Sequence, residues 1–127
     1  MTHRVGPGAA PNRRPPPSVM AFATEVSYDV DEACEGRLAA CYVHGSSVLR
    51  GFQPGRSDVD TLVILEDAVT SDQVQAVGRA LARERTCPGI GLEAPAVSRS
   101  AALTPGAPWP FLVHVTTAPN GPQDGLG

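Results

Sequence analysis

The chain has 127 residues, ten arginines, no lysine and a formal net charge of −3, which leaves room for one small domain around one core. That balance offers no basic field to nucleic-acid phosphates, and the lack of lysine excludes a Walker-type phosphate loop and Schiff-base chemistry. Thirteen prolines and thirteen glycines make the chain loop-rich, and Cys34, Cys41 and Cys87 form no metal-like cluster and, being odd in number, no closed disulfide framework.

Residues 1–20 are rich in Pro, Gly and Arg and bury too little apolar surface to fold, so they read as a disordered tail. Met20, at the composition shift, is an alternative start. The tail lacks the apolar core of a secretory signal, and no apolar run approaches the roughly 20 residues that cross a bilayer. A cytoplasmic protein with no membrane partner is expected. Phe22, Val26, Val30, Ala33 and Cys34 recur at helical spacing, with Gly36 as a stop. Leu38–Val43 then reads as a buried strand.

His44-Gly45-Ser46-Ser47 turns the chain, Val48–Phe52 fits a brief helix, and Pro54-Gly55 marks a loop. Asp58–Leu65 carries the clearest strand signal, and its continuous apolar run predicts a central strand covered on both faces. Thr70 with Gln73 matches a capping box, opening a helix lined by Val74, Val77 and Leu81 and closed by Cys87-Pro88-Gly89. Ile90–Val97 reads as a strand that Pro95 assigns to an edge or bulge. Ser98–Pro110 reads as loop, Phe111–Thr117 as a last strand and 119–127 as a loose tail. The result is a small α/β sheet domain over residues 21–118.

The chemistry concentrates at two places. Gly45-Ser46 ends a strand and opens a short helix, where backbone N–H groups and the Ser46 hydroxyl attract an anion such as phosphate. Asp58 and Asp60 are two apart in a strand and share a face. Two hard oxygen donors opposite a phosphate cradle suit Mg²⁺. Glu93, interrupting an apolar strand, is the candidate third acid of a metal or metal-plus-base site. Arg50 and Arg56 flank the loop and are secondary candidates for phosphate contact. His44 reads as a hydrogen-bonded core histidine, His114 as a strand residue with no partner in view, and Trp109 as a packing residue.

Gly45-Ser46, eleven further residues, then Asp58-Val59-Asp60 and an apolar strand resemble the nucleotidyltransferase superfamily that includes DNA polymerase beta. The string VHGSSVLRGFQPGRSDVDTLVILED looks most like the aminoglycoside (streptomycin/spectinomycin) adenylyltransferase branch. GLEAPAVSRSA resembles that branch's third-acid strand and PFLVHVTT the strand after it. The resemblance covers about residues 38–118. It implies a polymerase beta-like core and transfer of AMP from ATP to a small-molecule hydroxyl acceptor such as an aminoglycoside, the reaction of resistance enzymes. Asp58 and Asp60 would hold Mg²⁺ and the triphosphate, and Gly45 and Ser46 the terminal phosphates. Glu93 would act as general base or as a shared metal ligand. The chain departs from that branch by stopping before its C-terminal helical domain. Three further readings therefore stand beside the first: an antitoxin-like minimal nucleotidyltransferase that binds or adenylylates a helical partner protein, a truncated inactive relative, and a homodimer covering an open sheet face.

Overall fold

In a computed structural model, residues 2–5, 16–44, 54–106 and 110–117 are described. The order is β1 (Thr2–Val5), α1 (Pro17–Ala33), β2 (Leu38–His44), β3 (Val59–Leu65), α2 (Ser71–Ala82), β4 (Leu92–Ser98), α3 (Arg99–Leu103) and β5 (Val113–Thr116). The strands lie in one sheet in the order β1-β2-β3-β4-β5. β1–β2, β2–β3 and β4–β5 are antiparallel, whereas β3 and β4 are parallel and joined through α2. The chain is thus a mixed α/β fold, and among the described residues no helix is long and apolar enough to cross a membrane.

Helix α1 begins earlier than its apolar spacing predicts. Its first residue is Pro17, a position where the missing N–H costs nothing and the fixed φ suits a helix. Val19, fully buried, extends the stripe Phe22, Val26, Val30 back by one turn. The chain then reverses after Cys34, with Glu35 and Gly36 both at positive φ and the Gly36 N–H donating to Asp31 O at 2.9 Å. Composition predicts a loose tail up to residue 20. Instead Thr2–Val5 lies antiparallel to β2, Val5 opposite Cys41, and α1 is under way by residue 17. The tail at 119–127 and the short helix at 48–52 fall outside the described residues.

Helix α2 starts as its sequence predicts. The Thr70 hydroxyl accepts from the Gln73 N–H at 3.1 Å while the Gln73 side chain accepts from the Thr70 N–H at 2.9 Å. It ends at Ala82, before Cys87-Pro88-Gly89, because Arg83 already has extended backbone. Downstream, Ser98 caps α3 by accepting from the Ala101 N–H at 3.1 Å, so the stretch expected to be loop opens with a one-turn helix.

The two helices pack on one face of the sheet. Val19, Phe22, Val26 and Val30 of α1, with Val77 and Leu81 of α2, enclose Cys41, Val43, Val59, Val63, Leu65, Leu92, Ala94, Ala96, Val113 and Val115. The expectation that β3 is covered on both faces is corrected by its strict alternation: Val59, Thr61, Val63 and Leu65 are buried, Asp60, Leu62 and Ile64 half-buried. A purely apolar run hides this, because Leu62 and Ile64 are as hydrophobic as their neighbours.

Pro95 lies not at an edge but in β4, between β3 and β5. Leu92 O and Ala96 O accept from β5-side donors, Thr117 N–H at 2.9 Å and Leu112 N–H at 2.8 Å. By alternation Glu93 and Pro95 turn their backbone groups to β3. There the register runs Val59–Leu92 and Asp60–Glu93 and resumes at Val63–Ala96. Pro95 falls in that gap, and the Thr61 hydroxyl bonds Glu93 O at 3.1 Å. A side-chain donor thus serves a carbonyl beside the interrupted ladder.

Cys34 and Cys41 are buried and Cys87 half-buried, all free thiols. Burial pushes the Cys41 thiol up to about 12, which keeps it an inert packing residue.

Candidate metal centre

The acids stand where β3 and β4 begin side by side. Asp58 lies one residue before β3, so the strand is shorter at this end than its sequence predicts. Backbone hydrogen bonds nevertheless hold its approach against that of β4. Gly55 N–H donates to Pro88 O at 2.8 Å, Ile90 N–H to Ser57 O at 2.9 Å, and Val59 N–H to Gly91 O at 2.9 Å. Gly89 makes this proximity feasible, since a Cβ there would collide with the Ser57 carbonyl.

The parallel register then sets Asp60 directly across from Glu93. Asp58, Asp60 and Glu93 are each half-buried, and one carboxylate oxygen from each lies within 4.8 Å of the others. The two aspartates converge, and the acid from β4 joins them. Three carboxylates this close repel one another, and the strain shows at Asp60. Burial foremost, then the charges of Glu93 and Asp58, push its carboxyl above the usual range against the opposing pull of His44. A cation relieves that repulsion.

The register extends the row across four strands. His44 of β2 pairs with Asp60, and Glu93 pairs with Thr116 of β5. His114, two residues before Thr116, brings Nε2 to 3.3 Å from Glu93 Oε2. Sequence gave this histidine no partner, because its neighbour depends on the β4–β5 register and no local motif encodes that. His44, expected as a core histidine, is half-buried beside the acids.

Gly45, Ser46, Arg50 and Trp109 lie outside the described residues. Arg56 is exposed in the turn that opens at Pro54. Compared with known proteins, the chain matches no protein-family model and no curated protein.

Proposed function

We propose that this chain is a Mg²⁺-dependent nucleotidyltransferase with a polymerase beta-like core, moving AMP from ATP to a hydroxyl acceptor of the aminoglycoside kind. The observation that carries the reading is the convergence of Asp58, Asp60 and Glu93 within 4.8 Å. The donor set fits the ion, since all three groups offer hard oxygen and their half-burial leaves room for water and phosphate ligands. Asp58 and Asp60, with Glu93 as a shared ligand, would hold Mg²⁺, which when bound neutralises charge on the triphosphate.

The chain's own residues account for the remaining work. Glu93 accepts the proton of the acceptor hydroxyl as its oxygen attacks the α-phosphorus. The bond from that phosphorus to the bridging oxygen breaks, and pyrophosphate leaves with the electron pair. Such a site acts through positioning and charge rather than covalent catalysis. β2 ends at His44, opposite Asp60, and the next residues in sequence are Gly45 and Ser46, to which the proposal assigns the terminal phosphates.

Isothermal titration with ATP and Mg²⁺ tests this. Wild type binds the nucleotide in a metal-dependent way, and Asp58→Asn/Asp60→Asn does not. Equal metal-dependent binding by both overturns the assignment. A second reading, adenylylation or binding of a helical partner protein, draws on the half-buried Leu62, Ile64 and Pro95 that share the acids' open face.

A further inference from the structure

We propose that His114 is a positioning residue that fixes the Glu93 carboxylate. This rests on the reading of the three acids as a metal and nucleotide site.

The geometry comes from β4 and β5. Glu93 pairs with Thr116 and Pro95 with His114, so His114 is the diagonal neighbour of Glu93 on one face of the sheet, within reach of a long side chain. Its Nε2 lies 3.3 Å from Glu93 Oε2. That nitrogen is fully enclosed although the side chain as a whole is 36% exposed, and it makes no aligned hydrogen bond among the described residues. An enclosed ring nitrogen without a partner is unfavourable, and the group within reach is the Glu93 carboxylate.

Phe111 meets the ring from another side. Its ring meets the imidazole edge-on, with centroids 5.1 Å apart and planes at 64°. Phe111 is itself 53% exposed, so this contact favours the observed ring orientation without locking it, and a small rotation of the Glu93 side chain would complete the hydrogen bond. Glu93 gains a defined carboxylate plane while keeping lone pairs for a cation or an acceptor proton. Partners of this kind orient the groups that ligate a metal, and their loss typically costs 10–100-fold in metal affinity. A neutral imidazole with its proton on Nε2 suffices, so the role requires a donor and not a charge.

Three variants separate this role from packing. His114→Phe keeps an aromatic ring beside Phe111 without a donor, His114→Gln keeps a side-chain N–H, and His114→Ala removes both. The probe is Mn²⁺ alone, titrated by electron paramagnetic resonance on the full chain, with thermal melts alongside. His114→Phe and His114→Ala should weaken Mn²⁺ binding about tenfold, and His114→Gln should recover most of the loss. Wild-type affinity in His114→Phe overturns the proposal while leaving the metal site standing, provided Asp58→Asn/Asp60→Asn abolishes binding. Weakening in all three variants that tracks lowered melting temperature shows a packing role and also overturns it. If wild type and Asp58→Asn/Asp60→Asn bind Mn²⁺ equally, the metal site itself fails and His114 loses its role with it.

Discussion

The two faces of one sheet are built to opposite rules. On the helix-covered face, β3 contributes Val59, Thr61, Val63 and Leu65, none exposed. On the other, the same seven residues contribute Asp60, Leu62 and Ile64, all half-buried, with Glu93, His114 and His44 beside them. The first face gains from removing apolar area from water, at about 1.5–3 kcal/mol for a buried Val or Leu. The second holds three like charges together, and burial foremost, with the neighbouring charges adding to it, raises the Asp60 carboxyl. Side chains one residue apart thus do different work, one stabilising the fold and the other drawing on that stability.

Paired substitutions break or sharpen this contrast. Leu65→Ala should cost about 2–5 kcal/mol in denaturant unfolding, the range for emptying a buried Leu site. Asp60→Asn should leave stability equal or slightly higher. Its folded pKa is raised, so near pH 7 the ionised form is less favourable folded than unfolded, and a neutral isostere removes that cost. Should Asp60→Asn destabilise as much as Leu65→Ala, the acid is part of the scaffold and the two-face contrast fails.

How much of this was legible depends on how local each signal is. The capping box at Thr70 and Gln73 is written within four residues and matches the structure. The strand at Val59–Leu65 is equally clear, because six apolar or β-branched residues interrupted only by Asp60 have few alternatives. Its one-sided burial is not legible, since Leu62 and Ile64 look like core. Pro17 reads as part of the Pro-rich tail until the helix start makes it an N1 proline. Pro95 suggests an edge or a bulge because the sequence cannot show a local gap in the parallel ladder. Asp58 and Asp60 are conspicuous by spacing alone. Their meeting with Glu93, and Glu93's with His114, depends on strand register, a long-range property set by how the whole sheet assembles.

The covered face has an electrostatic fastening of its own, joining α1 to the segment after α2. Asp29 of α1 pairs with Arg83 and Arg85 at 2.8 Å each, and the Arg85 side chain is only 3% exposed. Burial by itself raises the Asp29 carboxyl, but the hydrogen bonds and charges of the two arginines outweigh it and hold the group below its usual range. Asp29→Asn should cost about 3 kcal/mol, since it leaves the Arg85 charge enclosed without a counter-ion. The sign of its pH dependence follows from the lowered value. The pair's contribution is present above the unfolded carboxyl value of about 3.9 and is lost as pH falls through the still lower folded value. Urea unfolding of wild type and variant should therefore differ most near neutral pH and converge in acid. A constant gap across the titration would show that Asp29 acts through packing alone.

Gly89 links the two faces, because it lets the approaches to β3 and β4 close up and so sets where Asp58 stands. A methyl group there meets the Ser57 carbonyl, a backbone atom that cannot swing aside like a flexible side chain. The Gly89→Ala variant must therefore part the two segments, straining the bonds from Ile90 N–H to Ser57 O and from Val59 N–H to Gly91 O. Overpacking of this sort costs about 1–3 kcal/mol, the smallest loss of stability expected here. Its second consequence is the more telling one. Asp58 sits between Ser57 and Val59 and would shift against Glu93, so Mn²⁺ affinity should fall even though no candidate ligand has been touched. Mn²⁺ titration of folded Gly89→Ala at a temperature well below its melt checks this. Undiminished affinity would mean that Asp58 is not needed by the metal, and the centre would reduce to the directly paired Asp60 and Glu93.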